Sequence, residues 1–566
     1  MLDSPAVTSS ASKEFKSRTG AFLATAIGVL VCLFSHLGAL GLVGPDEPRY
    51  AWIARNMAAT GDWVTPQLYG HPWLEKPILY YWTAAAGFLL HLPAEWAARL
   101  PSALAAFVAA ITMGWLAWKH YGESETSRLN PVLLAPLVFA TTVAGIGFAR
   151  SAGPDMLFAA SLTLAMASAA TIFRRAGILF GASDPAAPQH PSDALPLALF
   201  GVALALGVLA KGPAAIVLAG GAVGAWGLAT QNGRAAFRLA HPVAIIFFSL
   251  VALPWYIICA ARNPDFARVF IFQQNFQRYL TPVFQHKQPF WYFIPILLLA
   301  LLPWTAILHS LALDALRCWR ERSWTASPGL FFACWAFFPL IFFSFSQSKL
   351  PGYILPAIPP LSLLLAVALA RAVRSNSKAD SRSRWWSAKW ILCSIGLTLI
   401  ILGAVATRSM SRFPATSQHD LHKILGYSAM IVIAGGISVA VLGLFRPRTA
   451  LVWSFVTVIA LVEFSGLGVL PALDPYISAR PHEIFLRHDL RQDRVFTFQL
   501  PRSWNYGLAF YFRRQLPEWS PSDPDPALVL TTPKGFDEIR ELGRFRGVLD
   551  QEEVGILYVP IRPAPR

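Results

Sequence analysis

Apolar stretches of about the length of a membrane span recur along most of this 566-residue chain. A spanning helix needs roughly 20 apolar residues, and fewer where its neighbours shield it. The first stretch is too long and too uniformly apolar for the core of a signal peptide, so we expect it to remain as a helix. The pattern predicts thirteen spans, at 21–43, 99–118, 131–148, 155–173, 195–210, 213–230, 241–261, 290–312, 328–345, 353–370, 389–407, 425–444 and 449–471.

Two further stretches are long enough to have structure of their own. Residues 44–98 form a long first loop, in which the aromatic stretch 78–92 is predicted to lie on the membrane as an interfacial helix. After the last span, strand-like runs alternate with Pro, Asp and Gly turns at 494–500, 527–532 and 554–560. We therefore predict an all-α polytopic membrane domain over 1–471 and a small α/β domain over 472–566.

The composition agrees with a membrane protein. Hydrophobic residues make up 55% of the chain and charged residues only 14%, against about 25% charged in soluble domains. The net charge of +16 lies largely in short loops between apolar spans, so it indicates membrane topology and no nucleic-acid partner. The five Cys residues are scattered without metal-ligand spacing, and they predict neither a disulfide framework nor a zinc site.

Basic residues also assign the two sides of the membrane. Counting along the spans puts most basic loops on one side, which the positive-inside rule makes cytoplasmic. The strongly polar runs and the C-terminus then fall on the periplasmic side. The basic residues are Lys13, Lys16, Arg18, Arg174, Arg175, Arg234, Arg238, Arg317, Arg320, Arg322, the cluster from Arg371 to Arg384, Arg446 and Arg448.

Carboxylates stand at the predicted entrances of two helices on that periplasmic side. In GPDEPRY, Asp46 and Glu47 follow the end of the first span at once, and Asp155 opens the fourth span. An acid at the edge of a membrane segment is costly unless it has a partner or a task, so these are functional candidates. The competing interpretation is that each acid only caps the helix that it precedes.

Basic and aromatic residues occupy the other periplasmic runs. Lys76 follows Glu75 in HPWLEKP, Lys211 interrupts an apolar run, and the 262–289 segment mixes Arg with aromatic residues. These features suit the binding of a phosphate on a lipid. Taken singly, each has a plainer explanation: a Lys at headgroup level, a turn between two spans, or an amphipathic segment on the membrane surface.

Taken together in order and spacing, these motifs resemble a known family. GPDEPRYAWIARNM, LEKPILYYW, AGPDMLF, KGP, LPWYI, FQRY and SKLPGYILP are similar to the bacterial aminoarabinose transferases that modify lipid A. That family belongs to the polyprenyl-phosphate-dependent GT-C glycosyltransferases, which include the protein O-mannosyltransferases. The resemblance covers nearly the whole chain and implies a GT-C-like fold.

The resemblance also implies roles for individual residues. Asp46 and Asp155 match catalytic carboxylates, and Lys76 matches a lysine that contacts the lipid phosphate. Glu75 matches a metal-side carboxylate, which would make a divalent cation the one implied cofactor. The residues implied to bind substrate are Glu47, Arg49, Tyr50, Lys76, Tyr80, Tyr81, Lys211, Asn275, Arg278, Lys349 and Tyr353.

One position departs from the family pattern. Where these transferases show a Glu-His or Glu-Asn pair, this chain has Gln274 and Asn275. The substitution removes an imidazole that could share a metal with Glu75, because Asn is a poor transition-metal ligand.

The implied activity is transfer of 4-amino-4-deoxy-L-arabinose from undecaprenyl phosphate to lipid A, with inversion at the anomeric carbon. The enzyme would be an inner-membrane protein whose site faces the periplasm. The alternatives are a protein O-glycosyltransferase that uses the same kind of donor, a transporter of lipid-linked sugars, and a catalytically idle scaffold.

Overall fold

The computed structural model describes residues 5–121, 129–179, 193–281, 287–321, 323–324, 327–374, 388–409, 419–485, 495–520, 522, 528–543 and 557–560. Arg322 and most of the predicted basic cluster up to Arg384 lie outside these residues.

The described chain is mostly helical. Its first helices are α1 (Pro5–Phe34), α2 (Asp46–Thr60), α3 (Leu79–Leu89), α4 (Ala94–Tyr121), α5 (Pro131–Ala140), α6 (Val143–Ala149), α7 (Asp155–Arg175), α8 (Ala194–Lys211), α9 (Ala214–Ala229), α10 (Gly233–Phe237) and α11 (Pro242–Arg262). A short hairpin of β1 (Gln67–Leu68) and β2 (His71–Pro72) lies between α2 and α3. Its turn has positive φ at Tyr69 and at Gly70, as two-residue hairpin turns require.

The later helices continue to the end of the membrane part. They are α12 (Arg278–Leu280), α13 (Phe293–Ala300), α14 (Ile307–Arg320), α15 (Pro328–Ser344), α16 (Ile358–Arg374), α17 (Ala388–Ser409), α18 (His419–Phe445), α19 (Pro447–Phe464) and α20 (Leu470–Ile477). Irregular helices connect some of them, namely the 3₁₀ segments Arg238–Ala240, Phe290–Tyr292, Trp304–Ala306 and Pro351–Ala357 and the π-helical segments Ala267–Gln277 and Ser465–Val469.

A helix or helix pair lies at each of the thirteen predicted spans. Among the described residues, eight helices are long and apolar enough to cross a membrane, or up to ten if each of two bent pairs counts as one span. The bends are 62° between α5 and α6 and 117° between Phe290–Ala300 and Trp304–Arg320. The other three predicted spans coincide with shorter apolar helices. The protein is therefore a multi-pass membrane protein, while a count of thirteen crossings stays a prediction.

The first span ends earlier than predicted. Helix α1 stops at Phe34, and residues 35–43 form an irregular segment. Its backbone carbonyls accept hydrogen bonds from two guanidinium groups. Arg99 donates to the carbonyls of Leu37, Leu40 and Gly41. Arg480 donates to those of Gly38 and Ala39. Irregular backbone at membrane depth is stable only when protein groups satisfy it, so hydropathy alone could not distinguish this segment from helix.

The C-terminal region contains the predicted strands. The sheet consists of β3 (Val495–Phe498), β4 (Leu528–Thr531) and β5 (Leu557–Pro560), with β3 parallel and β5 antiparallel to β4. The helices of this region are α21 (Arg480–Phe485), α22 (Arg502–Phe512) and α23 (Pro533–Glu541). Helix α22 packs on α2, so the C-terminal region contacts the first loop next to Asp46. A domain boundary at 471 stays a prediction.

Small residues let the central helices approach closely. Helix α7 packs against α4 and α8, and α8 packs against α11. A Cβ added at Gly201 of α8 would overlap the backbone oxygen of Ala244 in α11. Close backbone approach at glycine is how membrane helices gain packing contacts in the absence of a hydrophobic driving force. This packing fixes where the ends of α7 and α8 meet.

Candidate functional site

The predicted acids and one predicted lysine lie at helix ends. Asp46 is the first residue of α2, Asp155 the first residue of α7, and Lys211 the last residue of α8. After Lys211 the chain turns at Gly212, whose φ of +92° is a conformation that side chains disfavour. The packing of α7 against α8 brings the last residue of α8 next to the first residue of α7.

The interpretation of these acids as helix caps is wrong. Pro45 and Pro154 occupy the cap positions, and neither helix start has a side-chain cap hydrogen bond. The carboxylates of Asp46 and Asp155 are bonded to basic side chains instead. Their positions in the first turns still suit the positive end of the helix dipole.

Asp155 forms an ion pair with Lys211. The Lys211 ammonium donates to a carboxylate oxygen of Asp155. The side chain of Lys211 is 15% exposed and that of Asp155 is 31% exposed. The same ammonium lies 5.1 Å from the ring centre of Tyr353 and 5.7 Å from that of Phe158. Both distances fall within cation–π range, so Tyr353 lies next to Lys211, and its contact with the substrate stays a prediction.

Asp46 forms an ion pair with Arg49, one turn along α2. The Asp46 side chain is 62% exposed, whereas that of Arg49 is 13% exposed. The Arg49 guanidinium lies 5.2, 5.0 and 5.7 Å from the ring centres of Tyr50, Trp73 and Tyr506. An arginine enclosed by aromatic rings is held in place, so Asp46 has an accessible carboxylate next to a fixed cation.

Tyr50 lies between the two acids. Its buried ring packs against Tyr80 and Tyr81, with ring centres 5.8 and 6.1 Å apart. Burial raises the pKa of Tyr50, and the nearby charges of Asp46 and Asp155 raise it further. A neutral phenol at this position donates or accepts a hydrogen bond without adding charge.

The two tyrosines that follow the Lys76 motif are both buried, at 1% exposure. The hydroxyl of Tyr80 donates to the backbone oxygen of Ala98 at 2.9 Å. Tyr80 therefore joins α3 to α4, whereas the hydroxyl of Tyr81 has no hydrogen-bond partner among the described residues.

Three basic residues from distant parts of the chain lie near one another, and one of them, Lys211, is bonded to Asp155. Lys76 precedes α3, Lys211 ends α8 and Arg278 begins α12. Burial, together with the charges of Arg278 and Lys211, lowers the pKa of Lys76 to about 8. Cations that destabilise one another in this way favour a shared anion, because the anion relieves their repulsion.

The segment that carries Arg278 also makes contact with Gly212. The amide of Asn275 donates to the backbone oxygen of Phe270 at 2.6 Å, and a Cβ on Gly212 would lie 3.2 Å from the Asn275 side-chain oxygen. Arg278 donates to the side chain of Gln274 at 3.3 Å. The neutral Gln274 and Asn275 pair thus positions Arg278 and the turn after Lys211.

Glu47 does not face the site, contrary to its predicted role in substrate binding. Its carboxylate is buried and receives hydrogen bonds from Arg99 at 2.7 and 3.3 Å and from the backbone amides of Val43 and Ala152 at 2.9 and 2.8 Å. The hydrogen-bonding capacity of the Glu47 carboxylate is therefore all used inside the protein. The ion pair instead joins the loop before α2, helix α4 and the loop before α7.

Lys349 is likewise used inside the protein. Its side chain is 6% exposed, and its ammonium donates to the backbone oxygens of Ser346 at 2.6 Å and Gln288 at 3.0 Å. Burial lowers the pKa of Lys349. A lysine that bonds two carbonyls holds two chain segments together, and its contact with the substrate stays a prediction.

The structure offers no fit for a metal at Glu75. No group of three His, Cys, Asp or Glu side chains within the described ranges could hold a metal ion. The nearby residues whose pKa values respond to the charge of Glu75 are Arg49, Lys76 and Tyr81. These cannot complete a metal site with Glu75, and no step below depends on a cation.

Three residues around the site were not predicted from the sequence. Arg99 neutralises Glu47, Trp73 covers Arg49, and Tyr506 reaches Arg49 from α22. Trp73 stands in the HPWLEKP run and could have been found there. Nothing local in sequence marks Arg99 or Tyr506, because both act on residues far away along the chain.

Comparison with known proteins shows which family of transferases this chain resembles in sequence. Residues 21–270 match the family described as dolichyl-phosphate-mannose-protein mannosyltransferase. The undecaprenyl phosphate-alpha-4-amino-4-deoxy-L-arabinose arabinosyl transferase of Edwardsiella ictaluri is 31% identical over 75% of this chain and 72% of its own length. The enzyme of the same description from Erwinia tasmaniensis is 32% identical over 72% and 69%.

A solved structure shows the same fold. The crystal structure of ArnT from Cupriavidus metallidurans bound to undecaprenyl phosphate matches with a TM-score of 0.74, covering 96% of this chain and 98% of that chain at 22% identity. The predicted GT-C-like helical fold is therefore confirmed.

Proposed function

Because this chain belongs to the family of undecaprenyl phosphate-aminoarabinose arabinosyl transferases, we propose that it transfers 4-amino-4-deoxy-L-arabinose from undecaprenyl phosphate to a phosphate of lipid A. The observation that carries the proposal is that Lys76 lies near both Lys211 and Arg278, while Lys211 is bonded to Asp155. A cluster of cations at helix ends, next to carboxylates and aromatic rings, suits a lipid-linked sugar phosphate.

In the reaction, an oxyanion of the acceptor phosphate attacks the anomeric carbon of the sugar. The bond from that carbon to the donor phosphate oxygen breaks, and its electron pair stays on the oxygen. The acceptor phosphate becomes a diester and undecaprenyl phosphate leaves as a monoester with one more negative charge. No proton has to be removed from an acceptor that is already ionised, and direct displacement inverts the anomeric centre.

The basic residues act on the charge that develops in this step. Lys76, Lys211 and Arg278 stabilise the leaving phosphate more strongly as it gains charge, which lowers the barrier. Asp155 keeps Lys211 in place before the donor arrives. Asp46, which is exposed and held beside Arg49, orients the acceptor and the sugar.

We place the reaction on the periplasmic face of the inner membrane. Helix α7 begins with Asp155 and ends with Arg174 and Arg175, and its 21 residues rise by about 30 Å. Basic residues thus lie at the end opposite the site, as the positive-inside rule expects for a periplasmic site.

The experiment is a transfer assay with the full chain in lipid nanodiscs. We expect the wild-type protein to move radiolabelled aminoarabinose from undecaprenyl phosphate to phosphorylated lipid A, and Asp46→Asn to insert normally but lose turnover. Transfer to a Ser- or Thr-containing peptide instead of lipid A would favour the protein O-glycosyltransferase alternative. Absence of any transfer by the wild type would contradict the proposal.

A further inference from the structure

An apolar cavity lies among α8, α9, α10 and α11, away from the residues that the proposed reaction uses. Its volume is about 390 Å³, and binding sites for small molecules have volumes of about 300–1,000 Å³. Phe200, Val223 and Ala244 are buried at its inner side, whereas Phe237 and Ile245 are exposed at its edge. Every side chain that lines the cavity is apolar. The cavity is therefore open at the outer surface of the helices, where an apolar chain can enter it.

The cavity lies toward the end of these helices that is opposite the reaction site. Gly201 of α8 lines it, and Lys211 lies ten residues further along the same helix, a distance of about 15 Å. Helix α9 begins just after Lys211 and ends at Ala229, so residues 230–241, which connect it to α11, lie at the far end. A lipid with its headgroup at this end occupies the opposite leaflet from a donor with its phosphate at Lys211.

Two arginines stand beside the cavity in that connection. Arg234 belongs to α10 and Arg238 begins the 3₁₀ segment that follows, and both are exposed. Arg238 lies between Phe237 and Leu239, which both line the cavity. Neither guanidinium forms a hydrogen bond or an ion pair with another described residue. Because residues four apart in a helical segment lie on one face, both cations are available to the same anionic group.

The combination of an apolar cavity with two cations at its edge favours one class of ligand. A neutral lipid would fill the cavity but leave the charges of Arg234 and Arg238 unbalanced. A soluble anion would balance the charges but leave the cavity unfilled. A lipid with an anionic phosphate does both, because a guanidinium binds phosphate through two hydrogen bonds and basic pockets between membrane helices bind anionic headgroups.

We propose that this cavity binds an acyl chain of an anionic phospholipid, and that Arg234 and Arg238 hold the phosphate of that lipid. The bound chain packs between residues of α9 and α11, two helices that both contact α8, so it supports the helix that ends at Lys211. This lipid is distinct from the sugar donor, because its phosphate lies in the other leaflet. The proposal does not depend on the proposed transferase function.

The test measures lipid binding to the purified full chain by native mass spectrometry. The probes are phosphatidylglycerol and phosphatidylcholine with the same acyl chains, which differ in net charge. We expect the wild-type protein to retain one phosphatidylglycerol about tenfold more tightly than phosphatidylcholine, because each arginine near a membrane surface favours an anionic lipid. Phosphatidylglycerol should also raise the unfolding temperature, since it binds the folded protein.

One pair of substitutions tests the headgroup contact. Arg234→Gln combined with Arg238→Gln removes both charges, so this variant should bind phosphatidylglycerol no more tightly than phosphatidylcholine. Arg446→Gln combined with Arg448→Gln is the matched control, because these two exposed arginines do not line the cavity or border it in sequence. The control variant should keep the preference of the wild type.

A second substitution tests the cavity itself. Gly220 lines the cavity, and a Cβ added there meets no atom within 4 Å. Gly220→Phe should therefore place its ring in the cavity without displacing protein atoms, and retention of phosphatidylglycerol should be lost. Gly426→Phe in α18 is the matched control, because a Cβ at Gly426 also meets no atom within 4 Å and that residue is not part of the cavity.

Each of the other outcomes contradicts the proposal. Equal retention of the two phospholipids by the wild type excludes charge recognition, and unchanged retention in Gly220→Phe excludes the cavity. Displacement of phosphatidylglycerol by undecaprenyl phosphate, together with a raised KM for the donor in Gly220→Phe, would assign the cavity to the donor. A dimer that Gly220→Phe dissociates, without retained lipid, would assign it to a second copy of this chain. Lipid binding is measured without transfer, so none of these results is confused with failure of the transferase proposal.

Discussion

The ammonium of Lys211 is hydrogen-bonded to the carboxylate of Asp155, which joins the last residue of α8 to the first residue of α7. The pair is only partly exposed, and the ammonium also faces the rings of Phe158 and Tyr353. Before the donor binds, the carboxylate holds a cation at the position where the lipid phosphate is expected.

The Lys211–Asp155 pair predicts different kinetic effects for its two partners. Lys211→Ala leaves a carboxylate facing the phosphate, so KM for the lipid donor should rise about tenfold or more. Asp155→Asn keeps the cation but loses its fixed orientation, so kcat should fall about 100-fold while donor affinity is kept. Steady-state kinetics with varied donor measures both. Because the residues act as a pair, the double variant should be less impaired than the product of the single effects, and strictly multiplicative effects would contradict the pairing.

The lowered pKa of Lys76 predicts a pH dependence of donor binding. Lys76 is protonated below about pH 8 and loses its charge above it, so KM for the donor should rise as pH increases through about 8. Lys76→Arg stays charged throughout and should flatten this profile. Measuring KM from pH 6.5 to 9.5 in both proteins checks the prediction, and a rise of equal size in Lys76→Arg would assign it to another group.

The lowered pKa of Lys76 makes stability increase with pH, whereas it makes donor binding weaken with pH. The unfolded chain keeps this proton up to the ordinary value of 10.5, whereas the folded protein releases it near 8. Between these values the unfolded state binds more protons, so the contribution of Lys76 to stability increases with pH. Loss of donor binding above pH 8 is therefore not a sign of unfolding at Lys76.

The buried pair of Glu47 and Arg99 predicts a loss of stability. Glu47→Gln leaves the Arg99 charge buried without its partner, which costs about 3–5 kcal/mol. Asp46→Asn changes an exposed carboxylate and should leave the unfolding temperature nearly the same. Thermal unfolding in detergent compares the two neighbouring variants. A Glu47→Gln protein as stable as the wild type, with impaired donor binding, would return Glu47 to the substrate-binding group.

The contact between Arg480 of the C-terminal region and the irregular segment 35–43 predicts an effect on turnover. Arg480 bonds Asp474 at 2.7 Å and also the backbone that leads to Asp46. Arg480→Ala should loosen that segment and lower kcat several-fold, with little change in KM for the donor. Arg540→Ala, an exposed arginine on α23, is the control. Full activity in Arg480→Ala would show that this contact does not position Asp46.

The helical fold, and the positions of Asp46, Asp155 and Lys211 at helix ends, could be predicted from the sequence. Long apolar runs locate the helices, and polar residues at their ends identify Asp46, Asp155, Lys76 and Lys211 as a group on one side. These signals are local, because a residue is noticed when it is unusual among its immediate neighbours.

Contacts between distant residues could not be predicted in this way. In sequence Glu47 looks equivalent to Asp46. Its carboxylate nevertheless forms a buried ion pair with Arg99, which lies more than fifty residues away along the chain. Tyr506 reaches Arg49 from the C-terminal region, and no pattern near either residue indicates that contact. The early end of α1 was missed for the same reason, since the groups that stabilise its irregular continuation come from α4 and α21.

The central claim is most directly tested by mass spectrometry of lipid A from a deletion strain that carries either the wild-type gene or Asp46→Asn, grown under conditions that induce envelope modification. We expect a mass increase equal to aminoarabinose on lipid A with the wild type and none with the variant, at equal protein levels in the membrane. A lipid A profile that is the same in both strains would contradict lipid A as the acceptor.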